Sequence, residues 1–188
     1  MKIILASQSP YRKHALDILG LEYETIPSDI DESAINHDDP NELAKLLSKA
    51  KAQKIGDENP DSIIIAADLF IVHDKKIIGK PRNEKQAKEM LISFSGQTFE
   101  IVAGLTVYNS QTRKMLTTSE VCKVRFRNLS DFEINDYISK YPVIKCAGAF
   151  EADGLLRFAE YIEGNYNFKA GMPVNKLILF LRENGVKV

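Results

Sequence analysis

The chain has 188 residues, of which 44% are hydrophobic and 27% are charged, and its net charge at pH 7 is −1. This composition is typical of a folded globular protein, and we expect a single domain over residues 1–188, either compact or built from two joined lobes. A net charge near zero argues against general binding to nucleic-acid polymers or anionic membranes, and leaves room for one focused basic pocket. No apolar stretch approaches the roughly 20 residues of a membrane span, so we expect a cytoplasmic protein.

The N-terminal residues predict a strand, a short polar loop and a helix. Ile3-Ile4-Leu5 is a short apolar run. Ser9 suits the N-cap of the helix, Pro10 its first position and Gly20 its end.

The first turn of this helix carries Arg12 and Lys13, although the positive end of a helix dipole favours acidic side chains. A bound anion would balance this charge. Free backbone N–H groups, the hydroxyls of Ser7 and Ser9 and the Arg12 guanidinium together suit a phosphate group. A surface helix with a solvated basic end explains the pattern equally well.

An acidic loop follows a second predicted strand over residues 21–27. It contains Asp29, Asp31 and Glu32, three carboxylates in four residues that repel one another. They are either solvated, as charged loops usually are, or they hold a divalent cation through oxygen ligands.

Asp39 and Pro40 predict the start of a long helix with leucines at helical spacing. Lys51 lies at the border of the apolar face of this helix. The pattern favours a surface lysine whose aliphatic stem covers apolar neighbours, and the alternative is a lysine that points into a cleft.

Residues 61–72 form the most apolar run of the chain and predict a strand, and one carboxylate, Asp68, lies in the middle of this run. Because a buried, unpaired charge is costly, Asp68 must be hydrogen-bonded, paired, linked to a metal or open to a cleft. We favour a catalytic or metal-linked aspartate over one that only caps neighbouring backbone.

The residues after this strand predict a hairpin that turns near Asp74. In such a hairpin Lys80 lies opposite or diagonal to Asp68, close enough for the two side chains to interact. Gly79 and Pro81, on either side of Lys80, indicate an irregular backbone that presents this side chain.

The second half of the chain predicts a series of helices and strands. These are a helix from Asn83, a hairpin of strands over 99–108 and 115–127, a helix from Ser130, a strand over 158–162, a Gly/Asn turn and a final helix from Val174. Between residues 145 and 154, small residues and two glycines permit close approach of the backbone to a ligand. Glu151 and Asp153 in that segment are able to accept hydrogen bonds from a base.

Six short motifs occur in order along nearly the whole chain. They are Leu5-Ala6-Ser7-x-Ser9-Pro10-x-Arg12, Ser28-x-x-Asp31-Glu32, Lys51-Ala52, Ala67-Asp68, Gly79-Lys80-Pro81 and Ala147-Gly148-Ala149-Phe150. Together they resemble the Maf family of nucleotide pyrophosphatases. The resemblance implies an α/β fold similar to that of inosine triphosphate pyrophosphatases, with a mixed twisted sheet, flanking helices and two lobes around a central cleft. It also implies hydrolysis of a nucleoside triphosphate to the monophosphate and pyrophosphate.

Two branches of that family differ at the motifs that contact the base. The branch that acts on dTTP and UTP has Ser-Pro-Arg-Arg, Ala-Asp-Thr and Gly-Ile-Gln-Gly. This chain is more similar to the 7-methyl-GTP branch, because an aromatic residue, Tyr11, follows Ser-Pro and an acidic residue and a glycine follow Phe150. It departs from that branch at Tyr11, at Ala67-Asp68-Leu69 and at Asp153, where the branch has Trp, Ser-Asp-Gln and Glu.

The resemblance also implies the roles of the site residues, since attack of water on the α-phosphorus needs neutralised phosphate charge and an activated water. The expected catalytic residues are Asp68, Lys51 and Lys80; the expected substrate-binding residues are Ser7, Ser9, Tyr11, Arg12, Leu69 and Asp153; and Asp31 and Glu32 are the expected ligands of a divalent Mg²⁺ or Mn²⁺ ion. The expected partner is a small nucleotide. A homodimer is left open, as are the dTTP/UTP activity and a non-catalytic, nucleotide-binding role in cell division.

Overall fold

The computed structural model describes residues 1–165 and 169–188. The strands are β1 Lys2–Leu5, β2 Glu24–Thr25, β3 Ser62–His73, β4 Lys76–Ile78, β5 Thr98–Asn109, β6 Lys114–Phe126 and β7 Ala159–Glu163. The helices are α1 Pro10–Ile18, α2 Pro40–Glu58, α3 Glu84–Phe94, α4 Asp131–Lys140, α5 Ala152–Leu155 and α6 Val174–Glu183. Within these residues, no helix is both long enough and apolar enough to cross a lipid bilayer.

The strands form one mixed sheet in the described part of the chain. Its order is β2-β1-β3-β5-β6-β7, and β4 pairs with β3 outside this path. β1 is parallel to both β2 and β3, whereas β4 is antiparallel to β3 and β7 is antiparallel to β6. The expected fold class, α/β with a mixed sheet, is therefore confirmed.

The chain divides into two compact units, in agreement with the two expected lobes. The first unit comprises Met1–Leu69, Ala103–Glu120 and Asn165–Val188, and the second comprises Phe70–Val102 and Val121–Gly164. The long strands β3, β5 and β6 each contribute residues to both units. The expectation of a single domain over the whole chain stays a prediction.

In the first unit, helices pack on both faces of β1 and β3. One face packs against α1 and α6, in a core that contains Leu16, Ile63, Ile65 and Leu177. The other face packs against α2, in a core that contains Ala52, Ile55 and Ile64. Successive side chains of a strand point to opposite faces, so the unbroken apolar run of β3 is what allows it to lie between helices.

The core of the second unit is largely aromatic. Phe94 of α3 lies 4.7 Å from Phe99 of β5 between ring centroids, and Phe99 lies 4.9 Å from Phe126 of β6. Phe150, in the segment predicted to approach a ligand, packs on Phe126 with centroids 5.5 Å apart. This segment is thus anchored in the core by its aromatic residue.

One local detail differs from the sequence-based expectations, a second adds to them, and a third lies partly outside the described residues. The strand predicted over residues 21–27 contains only Glu24–Thr25. The segment from 145 to 154 contains short helical turns and the four-residue α5, with Gly148 in a left-handed conformation at φ 67°. The predicted Gly/Asn turn lies partly in residues 166–168, outside the described residues.

Gly104 of β5 allows α2 to approach the sheet. A Cβ atom at this position would collide with the backbone carbonyl of Ala44 in α2, which cannot move without shifting the helix. We expect Gly104→Ala to lower the free energy of unfolding by about 1–3 kcal/mol, as overpacking usually does. Urea unfolding measures this loss.

Gly79→Ala is the matched control, because no heavy atom lies within 4 Å of a Cβ built there. We expect its free energy of unfolding to stay within about 0.5 kcal/mol of the parent. Equal stability of the two variants would mean that α2 does not pack tightly against β5.

Candidate active site

A buried ion pair joins α2 to β3 in the first unit. Lys51 Nζ lies 2.5 Å from Asp68 Oδ1 and 2.7 Å from Glu32 Oε1. The side chains of Lys51 and Asp68 are only 10% and 11% exposed, whereas that of Glu32 is 54% exposed. One ammonium group therefore bridges a buried carboxylate and a partly solvated one.

Lys51 is buried because α2 packs its apolar face on the sheet and Lys51 lies among the buried residues of that helix. The surface lysine favoured by the helical pattern is therefore wrong, and the alternative of an inward-pointing lysine is correct. Periodicity alone does not show this, because the carboxylate that makes a buried lysine tolerable lies on another element, β3.

Asp68 lies at the end of the fully buried part of β3. Burial raises the pKa of the Asp68 carboxyl, while the positive charges of Lys51 and Arg12 act in the opposite direction. A carboxyl with a raised pKa is a better proton acceptor than an ordinary one when it is ionised. Of the four possibilities that the sequence leaves for this carboxylate, the structure shows pairing and hydrogen bonding with Lys51, and its catalytic or metal-linked role stays a prediction.

Arg12 is held in place at the start of α1 by two acceptors. Its Nε donates to the carbonyl of Gly171 and its Nη1 donates to Ser7 Oγ, both at 3.1 Å. Burial lowers the pKa of Arg12, opposed by the charges of Asp68 and Glu32, but an arginine remains protonated at physiological pH. Arg12 is thus a fixed cation and not a solvated surface residue.

The loop before α1 adds polar groups to this arrangement. Ser7 Oγ also accepts a hydrogen bond from the backbone N–H of Ser9 at 3.1 Å. Ser9 occupies the predicted N-cap position, but its side chain makes no capping hydrogen bond within the described residues. The loop is instead organised by Ser7.

Several of these groups line one polar cavity of about 300 Å³ in the first unit, although Asp68 is not among its lining residues. Its lining includes Ser7, Arg12, Asp29, Glu32 and Lys51. Two cations, a hydroxyl and backbone groups of the loop before α1 can bind the oxygens of a phosphate chain there.

Three predicted substrate-binding residues of the first unit, Ser9, Tyr11 and Leu69, lie outside that lining, and the role of Ser9 stays a prediction. Tyr11 lines a second, apolar cavity of about 320 Å³ together with His14, Ile18 and Lys169. Leu69 follows Asp68 on β3 and is half-buried. Their roles in base recognition stay predictions.

Lys80 and Asp153 belong to the second unit and are exposed. The hairpin of β3 and β4 forms as expected. Its pairing begins at the turn, where His73 pairs with Lys76, and ends where Ile71 pairs with Ile78. Lys80 therefore follows the end of β4, and its expected interaction with Asp68 stays a prediction. Within the second unit, the neighbouring Gly79 carbonyl accepts a hydrogen bond from Gly148 N at 3.1 Å.

Comparison with known proteins places the chain in a family. A sequence model of the family described as Maf-like protein matches residues 2–184. The chain belongs to the Maf-like family. The relationship expected from the six motifs is thereby confirmed.

Two relatives of this Maf-like protein carry different names. A protein of Aquifex aeolicus named dTTP/UTP pyrophosphatase is 38% identical over 184 residues, which cover 97% of this chain and 95% of the relative. A protein of Hydrogenovibrio crunogenus named 7-methyl-GTP pyrophosphatase is 36% identical over 189 residues, which cover 100% and 94%. The two identities are too close to rank the two substrates.

The solved structure of the Ham1 protein of Staphylococcus aureus has a similar fold. The two structures superpose with a TM-score of 0.52 over 98% of this chain and 100% of the other, at 15% sequence identity. At this identity the similarity concerns the fold alone, and it confirms the expected fold class.

Glu32 and Asp68 supply carboxylate oxygens, the ligands that hard divalent cations prefer, and in this structure both carboxylates contact Lys51 Nζ. Across residues 1–165 and 169–188, no group of three or more His, Cys, Asp or Glu side chains is placed to hold a metal ion. Mg²⁺ needs only one or two carboxylates when substrate phosphates complete its shell.

Asp31, the other expected ligand, accepts hydrogen bonds from the N–H and Oγ of Ser33 at 3.1 and 2.6 Å. Its role as a metal ligand stays a prediction.

Sequence reasoning missed two contacts of this site. The carbonyl of Gly171 fixes Arg12 across a separation of 159 residues, and Glu32 pairs with Lys51. The Gly-Met-Pro sequence at 171–173 indicates a break in regular structure, but nothing in it points to Arg12.

The raised pKa of Asp68 predicts a pH-dependent effect of Asp68→Asn on stability. A carboxyl whose pKa is higher in the folded state stabilises the fold below its unfolded pKa, near 4, and this contribution is lost as the pH rises through the folded pKa. We expect the parent to lose stability relative to Asp68→Asn from roughly pH 4 upward, by about 1.4 kcal/mol per pKa unit. Urea unfolding across this range measures the difference.

Asp61→Asn is the matched control, since Asp61 is an exposed carboxylate just before the same strand. Asn also tolerates its φ of 57°. We expect no comparable pH dependence for this control. A parent that gains stability relative to Asp68→Asn as the pH rises would show that Lys51 outweighs burial and lowers the Asp68 pKa.

Proposed function

We propose that this Maf-like protein hydrolyses a nucleoside triphosphate to the monophosphate and pyrophosphate. The observation that carries the proposal is the buried Lys51–Asp68 pair together with Arg12 and Ser7 near one polar cavity. Triphosphate binding needs fixed positive charge, and hydrolysis needs a base for water. The relatives from Aquifex and Hydrogenovibrio, whose names state pyrophosphatase activity, support the same reaction.

In the proposed reaction, Arg12, Lys51 and Lys80 are assigned to neutralise phosphate charge. Asp68 accepts a proton from the attacking water through Oδ2, since Lys51 contacts Oδ1. The water oxygen forms a bond to the α-phosphorus, and the bond from that phosphorus to the bridging oxygen breaks. Pyrophosphate leaves with the electron pair of that bond.

Glu32 and Asp68 would hold a divalent cation together with phosphate oxygens, and such an ion would add neutralisation of charge on the triphosphate. Fixed side chains still have to orient the phosphate chain. Arg12 serves this purpose because both of its acceptors, the Gly171 carbonyl and Ser7 Oγ, are part of the protein framework.

For the base, we propose a modified purine such as 7-methyl-GTP. A methylated guanine carries positive charge and stacks favourably on an aromatic face, a role assigned to Tyr11. The Asp153 carboxylate is assigned to accept hydrogen bonds from the guanine N1–H and amino group. dTTP and UTP are the second candidate, because the relative from Aquifex carries that name.

The proposed reaction predicts loss of turnover in Asp68→Asn. An amide cannot accept the proton of water, and removing a general base usually lowers the rate by about 100- to 10,000-fold. We expect the fold to persist, because Lys51 keeps its contact with Glu32. Pyrophosphate release with Mg²⁺ or Mn²⁺, together with nucleotide binding by calorimetry, separates catalysis from binding.

Asp61→Asn is again the control, with turnover expected to match the parent. An Asp68→Asn variant that retains turnover within a few-fold would exclude Asp68 as the base. A parent that binds nucleotides and releases no pyrophosphate from any of them would instead favour the non-catalytic regulator.

The base proposal predicts the order of substrates. In competition assays we expect kcat/KM to be highest for 7-methyl-GTP, lower for GTP and lowest for dTTP and UTP. Tyr11→Arg should reduce the preference for 7-methyl-GTP by about 2- to 30-fold, the range of a lost cation–π contact. A parent that prefers dTTP or UTP would show that Tyr11 and Asp153 do not select a methylated guanine.

A further inference from the structure

Tyr137 of α4 is fully buried in the second unit, yet its hydroxyl has a specific partner. Tyr137 Oη accepts a hydrogen bond from the backbone N–H of Glu151 at 3.0 Å. Glu151 is the N-cap residue of α5, which carries Asp153. The hydroxyl thus holds the start of the segment that contains the proposed base-recognition carboxylate.

The ring of Tyr137 holds the same segment at a second point. A Cβ atom on Gly154 would collide with the Tyr137 ring and hydroxyl, so the ring lies directly against the backbone of α5. Glycine at this position allows the contact. Residues 151–154, which we name the α5 segment, are therefore fixed at both ends by one side chain.

Tyr137 itself is immobilised by its neighbours. Its ring stacks on Tyr141 with centroids 4.3 Å apart and an interplanar angle of 16°, and it packs on Phe158 at 4.7 Å. The Arg157 guanidinium lies about 6 Å from both tyrosine rings and donates to Asp136 at 2.9 Å. Burial raises the pKa of the Tyr137 phenol, so the hydroxyl stays neutral at physiological pH.

The α5 segment cannot hold its own position. An isolated helix of four residues is not stable in water, so its orientation depends on tertiary contacts. Recognition of a base by hydrogen bonds, however, requires acceptors placed within a fraction of an ångström. The contact that orients the α5 segment therefore also controls where the Asp153 carboxylate lies when it binds a base.

We propose that Tyr137 is a positioning residue for base selectivity, which acts by fixing the α5 segment through its hydroxyl and ring. The inference rests on the proposed function, because it assumes that this segment contacts the base. Tyr137 does not touch the reacting phosphate groups in this scheme. Its loss should change how bases are distinguished and leave the chemical step unchanged.

Tyr137→Phe tests the proposal, since it removes the hydroxyl and keeps the ring. We measure kcat and KM for 7-methyl-GTP, GTP, dTTP and UTP. The ratio of kcat/KM between the best and the worst substrate should fall by about 3- to 10-fold, the range for one lost hydrogen bond. The change should lie in KM, with kcat for each substrate within about twofold of the parent value.

Tyr141→Phe is the control, because it removes a hydroxyl from the same ring stack without touching Glu151. Its ratio of kcat/KM should match that of the parent.

Gly154→Ala provides a second approach through the opposite end of the contact. Gly154→Ala should lower the same ratio of kcat/KM. In the double variant with Tyr137→Phe, the ratio should fall by less than the product of the two single effects, because both substitutions act on one contact. An unchanged ratio in folded, active Tyr137→Phe and Gly154→Ala would overturn the proposal, as would an equal fall of kcat for all substrates. A parent that hydrolyses no triphosphate would overturn the proposed function itself, and the inference with it.

Discussion

The ion pair between Lys51 and Asp68 is the interaction on which the candidate site depends. A buried charge without its partner is strongly destabilising, so each of these two side chains makes the other tolerable inside the first unit. A pair of well-packed apolar residues would usually give equal or greater stability. The pair is therefore better explained by chemistry than by folding. With Arg12 and Glu32 nearby, the four groups carry two charges of each sign, and no buried charge is left uncompensated.

Fixed and adaptable groups are combined at this site. Asp68 belongs to a strand whose neighbours in the core are fully buried, and Lys51 belongs to a helix packed on that strand. Arg12 is fixed by the Gly171 carbonyl and Ser7 Oγ. Glu32 differs, because it lies in a short 3-10 turn capped by Asp31 and its side chain is half exposed. The positive groups and Asp68, the proposed general base, are thus preorganised, which is how a protein stabilises developing charge without reorganisation during a reaction.

Much of this arrangement could be predicted from local sequence, and the remainder depends on contacts between distant residues. Asp68 is the one carboxylate in the middle of its apolar run, so the sequence itself predicts that this group needs a partner. Lys51 was ambiguous, because a helical pattern places it at the border of an apolar face and does not reveal a carboxylate on another element. The Gly171 carbonyl could not be predicted, because it meets Arg12 across 159 residues and every residue has such a carbonyl. The strand predicted over residues 21–27 was too long because alternation in the sequence does not limit how far its partner, β1, extends.

Overall sequence similarity does not identify the base that the protein prefers. Relatives that are 38% and 36% identical carry different substrate names, so overall similarity cannot decide between them. Under the proposed function, the side chains assigned to the base also differ in discriminating power. An apolar contact such as that of Leu69 distinguishes related ligands by about 10- to 200-fold, whereas a hydrogen bond that one ligand leaves unsatisfied can reach about 10,000-fold or more. The position of Asp153 should therefore matter more for the choice of base than the identity of Leu69, and that position is held by Tyr137.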